Sequence, residues 1–245
     1  MDFTLTQWGL LGGATLLIGL SKCGLPGAGT LAIPVFAMLI PAKASTGALL
    51  PLLVCGDIIG VAVYHRHADW PQLLRLFPWT VTGILGGWLA LDRLSNAQIG
   101  PIIGAIILGL LGLNLWRKRQ AGDDARLPSG AGFSALVGLL AGFTTMIANA
   151  AGPIMAIYLL SRRLPKAAFI GTSAWFFLLV NLAKIPFSAN LGLITGDSLR
   201  FNLLLLPSLA LGAAAGYRFA HRLPQRWFEV IIQILAALAA LRLLR

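Results

Sequence analysis

The sequence predicts an all-α polytopic integral membrane protein made of two inverted-topology repeats. Each repeat is a broken or re-entrant helix pair followed by three transmembrane helices, about 8–10 helical segments in all. Three observations carry this. Of 245 residues, 58% are hydrophobic and 11% charged, where a soluble domain of this size carries roughly a quarter charged; the mean hydropathy is +0.83. The apolar residues fall into runs that reach or approach the ~20 residues of a bilayer-spanning helix. The order of those runs occurs twice. The composition excludes a water-soluble globule, a disordered chain and, with two cysteines, a disulfide scaffold. The opening MDFTLTQWGLLGG lacks the basic n-region of a signal peptide, so the first apolar stretch is expected to be retained.

Residues 8–40 are apolar except for Lys22, but their middle reads SKCGLPGAGT, from Ser21 to Thr30. Gly and Pro at that density interrupt a helix. The stretch is too long for one span and too short for two comfortable ones. It is therefore read as two half-helices, either a re-entrant hairpin or a pair of short, tilted spans, with the break lining protein or a water-filled cavity. Spans follow at 44–64, interrupted by Asp57, at 76–91 and at 94–116. RKRQAGDDARLPSG, residues 117–130, is a polar linker. A second broken stretch, 134–160, is interrupted by NAAGP from Asn149 to Pro153. Spans come next at 167–189, interrupted by Lys184, and at 201–217; 227–241 is apolar apart from Glu229 and Gln233.

The two halves, 1–116 and 131–245, match in detail. GLLGG at Gly9–Gly13 corresponds to GLLAG at Gly138–Gly142, and PAKA from Pro41 corresponds loosely to PKAA from Pro165. Gly47 falls on Gly171 and Asp57 on Asn181; further on, Pro78, Gly83 and Gly87 fall on Pro207, Gly212 and Gly216. A broken stretch returns the chain to its starting side, and three spans then cross it, so the second half starts on the side opposite to the first. On this topology one side carries Arg66, Arg75, Arg117, Lys118, Arg119, Arg126, Arg162, Arg163, Lys166, Arg218, Arg222 and Arg226. The other carries Lys43, Arg93, Arg200, Arg242 and Arg245. Lys/Arg excess marks the cytoplasm. The linker is thus expected in the cytoplasm and both termini outside. The formal charge of +11 is then an orientation signal; no basic stripe or aromatic-basic platform points to nucleic acid.

Intramembrane ionisable residues are functional candidates by default. Lys22 sits at the first break, where Gly24, Pro26, Gly27 and Gly29 are expected to leave backbone N–H groups free beside the start of a half-helix near Ala28. A cation at a positive helix end makes an anion site; a snorkelling Lys22 at an interface is the other reading. Asn149 and Gly152-Pro153 form the second break, with the Thr144 and Thr145 hydroxyls one turn earlier; a capping role for Asn149 is compatible with ligand binding. Lys184, with Pro186 two residues on, is either a second buried cation or close enough to a surface to reach water. Asp57, matched by Asn181, either couples transport to H⁺ or Na⁺ or forms a static pair with a lysine. Glu229 starts the last span and is expected at the interface. The Gly83/Gly87, Gly100/Gly104 and Gly212/Gly216 pairs suit close helix packing. His65 and His67 are loop neighbours without a second cluster, so no metal site is expected. Trp8, Trp70, Trp79, Trp116 and Trp227 fit an aromatic belt at span ends. Neither HExxH, GxSxG nor paired intramembrane carboxylates occur, so no enzyme is predicted.

SKCGLPGAGTLAIP, STGALLPLLVCGDIIGVAVYHRHADW, GFTTMIANAAGPIMAIYLL, FIGTSAWFF and NLAKIPF together resemble the sulfite exporter TauE/SafE family of membrane permeases, from about Gly9 to about Gly216. The resemblance implies a secondary transporter, an exporter of sulfite or an organosulfonate, with no cofactor. Cys23 departs from the polar residue usual after the first Lys. The candidate substrate contacts are Lys22, Cys23, Gly24, Pro26, Gly27, Thr145, Asn149, Gly152, Pro153 and Lys184; Asp57 and Asn181 are the coupling-ion candidates. The expected partners are a small sulfur-containing anion, the lipid bilayer, H⁺ or Na⁺ and a second copy of the chain. An anion channel is the alternative. A thiol-disulfide carrier using Cys23 and Cys55 fits less well, because both cysteines lie in the first half.

Overall fold

The structure, a computed structural model, describes residues 3–91, 93, 95, 98, 105, 108, 109, 112 and 130–243. The expected 94–116 span falls largely outside these residues, and the linker (Gly130 apart), Trp116 and the Gly100/Gly104 pair fall outside them altogether. The described chain is helical throughout: α1 (Leu5–Cys23), a 3₁₀ turn (Ala28–Leu31), α2 (Ile33–Leu39), α3 (Ala42–Ala48), α4 (Leu50–Tyr64), a second 3₁₀ turn (His65–His67), α5 (Trp70–Leu91), α6 (Ala131–Ala148), α7 (Ala151–Ser161), α8 (Lys166–Asn190), α9 (Gly196–Arg222) and α10 (Gln225–Leu243). Among the described residues, five helices are long and apolar enough to cross a membrane: Lys43–His67, which joins α3 and α4, and α5, α6, α8 and α9.

Local chemistry sets the ends of these helices. Thr4 caps α1 and Thr195 caps α9, each side chain accepting from the amide three residues on and each cap amide donating back to that residue's side chain, which satisfies donors a helix start otherwise leaves orphaned. Both broken stretches are asymmetric. Their first arms, α1 and α6, have 19 and 18 residues, close to full span length. The second arms, α2 and α7, have 7 and 11. At 1.5 Å per residue neither short arm crosses a ~30 Å hydrocarbon layer. The two helices expected at each break are therefore unequal, a long arm and a short one, and of the long arms α6 is among the helices long and apolar enough to cross a membrane. α7 is buried on every side from Ala151 to Leu159, which explains its uniformly apolar sequence.

Glycines fix how the long helices pair. An added Cβ at Gly142 would lie 2.0 Å from the Thr80 carbonyl oxygen, and one at Gly83 2.2 Å from that of Leu139, so α5 and α6 touch backbone to backbone. The matching contact joins α1 and α9: a Cβ at Gly212 would lie 2.0 Å from the Leu16 oxygen, and one at Gly19 2.1 Å from that of Leu209. Each half's first helix thus packs on the other half's α5 or α9. In both pairs residue numbers rise together (Leu16 with Gly212, Leu20 with Gly216; Leu76 with Gly138, Thr80 with Gly142), so the partners run parallel. α4 and α8 run antiparallel, since Asp57 meets Asn181 whereas Tyr64 meets Gly171. Short turns reverse the chain between α4 and α5 and between α8 and α9. Taken together these directions place α1 opposite to α6, which is an inverted repeat.

α5 begins at Trp70 rather than near 76, with Pro78 inside it. Trp70 and Trp227 are exposed at helix starts, as an aromatic belt requires, but Trp79 is exposed nine residues into α5 and is not at a span end. Pro186 and Pro207 are likewise accommodated inside α8 and α9.

Candidate functional site

The two breaks meet α4 and α8 at the centre of the protein. α1 stops at Cys23, because Pro26 cannot donate to a helical ladder and Gly27 takes a positive φ of 98° that a side chain disfavours. This leaves Lys22 in the last turn of α1. Its Nζ donates to Asp57 Oδ1 on α4 at 2.5 Å, and it lies 4.8 Å from the centroid of the Phe177 ring on α8, a cation–π distance. Asp57 is fully buried. Its other oxygen accepts from Asn181 Nδ2 on α8 at 2.7 Å. The two residues that correspond between the repeats therefore bond directly to each other.

α6 ends on Asn149, the one left-handed residue of that break, at φ 52° and ψ 29°. Asn tolerates this conformation better than other side-chain-bearing residues. The amides of Asn149 and Ala150 return to the carbonyls of Thr145 and Thr144. Asn149 Nδ2 donates to the Thr46 carbonyl at 3.0 Å. Its Oδ1 accepts from Lys184 Nζ on α8, which also donates to Thr145 Oγ1 at 3.4 Å. Lys184 is 1% exposed, so of the two expectations for it the buried cation holds and access to water does not. The Lys22–Asp57 and Asn149–Lys184 links both span 35 residues, with roles reversed: the first break supplies the cation and the second supplies the acceptor.

Between these links lies a cavity of about 50 Å³, several times the roughly 10–15 Å³ one water needs. Lys22, Pro26, Gly27, Thr145, Asn149, Gly152 and Asn181 line it. Asp57 and Lys184 stand behind that wall, each bonded to a lining side chain. Cys23, Gly24 and Pro153 do not line it. Cys23 is buried and its carbonyl accepts from Tyr64 Oη at 3.2 Å. Gly24 is pressed onto Gly216, where an added Cβ would lie 2.7 Å from Cα. Pro153 is buried in the first turn of α7. The expected free amide at Gly24 is also corrected: it donates to the Leu20 carbonyl, and the amides of Leu25, Ala28 and Thr30 are taken up within the break. Gly27 and Gly29, whose amides are not among these bonds, also line the cavity.

A family model described as sulfite exporter TauE/SafE matches residues 11–243, which include every residue of this site. The chain belongs to the sulfite exporter TauE/SafE family. No curated protein and no solved structure matches it significantly. It is a multi-pass membrane permease of that family. In this TauE/SafE protein the wall also contains Ser21, Thr30, Ser173 and Phe177, none of which was singled out from sequence. The Ser173 hydroxyl is buried and has no hydrogen-bond partner among the described residues. An orphaned buried hydroxyl costs free energy, and here it lines the cavity. The hydroxyl of Thr30 faces Gly152, where an added Cβ would lie 2.7 Å from it, so glycine at 152 leaves room for that group. The alternation of small and polar residues in FIGTSAWFF was the available signal for Ser173, but only the position of α8 against the breaks turns it inward. Both cysteines are free and neither lines the cavity.

Proposed function

We propose that this permease is a secondary transporter that exports a small sulfur-containing anion, sulfite or an organosulfonate, across the bacterial cytoplasmic membrane, and that the cavity between the two breaks holds the anion near the midplane. The observation that carries this reading is the wall of the cavity. It combines the Lys22 ammonium with the unpartnered Ser173 hydroxyl and the side chains of Asn149 and Asn181. With both lysines protonated, Lys22, Asp57 and Lys184 carry one net positive charge in surroundings that exclude most water, where charge interactions are strong. A pyramidal oxyanion offers three acceptor oxygens, one for the ammonium and the others for hydroxyl and amide donors.

Lys22 is already paired. An arriving anion therefore competes with Asp57 for its ammonium. An anion that draws Lys22 away leaves Asp57 held by Asn181 alone, and a proton or Na⁺ on the carboxylate then restores balance. Anion and cation occupancy are coupled by this exchange. The excess of Lys and Arg on the side of Arg66 and Lys166 supports a cytoplasmic placement for that face, with both termini outside.

The experiment is transport by the purified protein in liposomes, offering sulfite, sulfate, thiosulfate and short sulfonates with and without a pH gradient. Saturable transport with counter-flow is expected for sulfite or a sulfonate, and a change with the gradient is expected if the proton is the coupling ion. Non-saturating flux would indicate a channel. Transport that survives Lys22→Ala unchanged would sink the site.

A further inference from the structure

A second polar groove lies outside the central site, where the end of α4, the start of α8 and the end of α9 converge. Its volume is about 250 Å³. Tyr64, His67, Lys166, Tyr217 and His221 supply its polar lining, and among the described residues no carboxylate lines it. Lys166 is anchored: its Nζ donates to the Leu223 carbonyl at 2.5 Å and its backbone amide to Gln225 at 3.0 Å. An ammonium has three donors, so this bond leaves two N–H groups available. The rings of Tyr64 and Tyr217, with centroids 6.2 Å apart, and of Tyr217 and His221, 4.1 Å apart, form a continuous aromatic wall. A fixed ammonium, two imidazoles and phenol groups without a carboxylate counter-charge favour an anion.

One residue connects this groove with the central cavity. Tyr64 is buried, lines the groove, and donates its hydroxyl to the carbonyl of Cys23, the residue after Lys22. One turn earlier, Gly60 lets α4 approach the Lys22 carbonyl, where an added Cβ would lie 3.0 Å away. The groove and the cavity thus lie on either side of one turn of α4 and the end of α1.

We infer that the groove is a second anion site, a waiting position that holds the transported oxyanion on the face of Arg66 and Lys166 before it reaches Lys22. Tyr64 stands between the two positions. This rests on the transport function proposed above. The test measures sulfite binding by calorimetry to the full chain in phosphatidylcholine nanodiscs, together with sulfite transport in liposomes. Two sulfites per chain are expected. The Lys166→Gln, His221→Gln variant should bind one and transport with a KM about tenfold higher at unchanged kcat, the scale of a lost charge-assisted hydrogen bond. A single wild-type site with an unaltered KM in the Gln variant overturns the groove and leaves the central site standing. Absence of any sulfite or sulfonate binding removes the substrate assignment as well. Loss of the second sulfite when phosphatidylglycerol replaces phosphatidylcholine makes the groove a lipid-phosphate site and overturns the waiting role.

Discussion

At the scale of single residues, Lys22 and Asp57 separate structure from function. Removing one partner of a buried ion pair costs about 3–5 kcal/mol, because the other charge is left uncompensated, whereas replacing both can be neutral. Lys22→Ala should therefore lower the melting temperature in detergent, and the Lys22→Ala, Asp57→Ala double variant should regain most of that loss. Neither should transport sulfite; a transporting double variant would make the pair purely structural. Ser173 gives the opposite signature. Its hydroxyl has no partner, so Ser173→Ala should keep or slightly raise stability, while KM for the anion rises about tenfold through loss of a hydrogen bond to a charged group. Lys22, Asp57, Asn149 and Lys184 were legible in the sequence because a charge or a left-handed-tolerant Asn inside an apolar run is conspicuous. Ser173, Ser21 and Thr30 were not, since small hydroxyl residues are common in membrane helices and only their orientation distinguishes them.

At the scale of elements, the second break has two functions that substitution can separate. Asn149 holds a left-handed φ and also accepts from Lys184. Asn149→Gly keeps the backbone and removes the amide, so it should fold and lose transport. Asn149→Ala loses both and should in addition be less stable by about 1 kcal/mol, as an alanine in the left-handed region is strained. Uptake and thermal melting of the two variants decide this. The helix pairs α5–α6 and α1–α9 make a second prediction. Gly142→Ala or Gly212→Ala drives a methyl into a backbone carbonyl and should destabilise by about 1–3 kcal/mol, the usual cost of overpacking. Gly13→Ala, which meets nothing within 4 Å, should be neutral. The element order was readable from apolar runs and Gly/Pro interruptions. The unequal arms were not: Pro and Gly locate an interruption, but the length of each arm depends on what buries it.

For the whole molecule, the parallel α1–α9 and α5–α6 pairs tie the halves together crosswise. A change of access at the central cavity therefore involves both halves. The charge distribution sets the orientation prediction. In a cysteine-free background, Arg66→Cys should react with an impermeant maleimide only from the cytoplasmic side. Gly196→Cys, at the start of α9, should react only from outside. Reversed labelling in intact cells would overturn the assigned orientation.

The sequence alone determined the membrane class, the order of the described helices, the inverted duplication and the two lysines within apolar runs, because the cost of burying polar groups in hydrocarbon is written into composition and periodicity. Tertiary structure decided which residues meet. It brought Asp57 to both Lys22 and Asn181, gave Lys184 the neutral oxygens of Asn149 and Thr145, turned Ser173 toward the cavity, and moved Cys23, Gly24 and Pro153 off its wall. Those outcomes depend on helix rotation and on contacts more than 30 residues apart in the chain, which local pattern does not encode. Glycine faces and hydrogen-bond satisfaction set them only when the whole bundle packs.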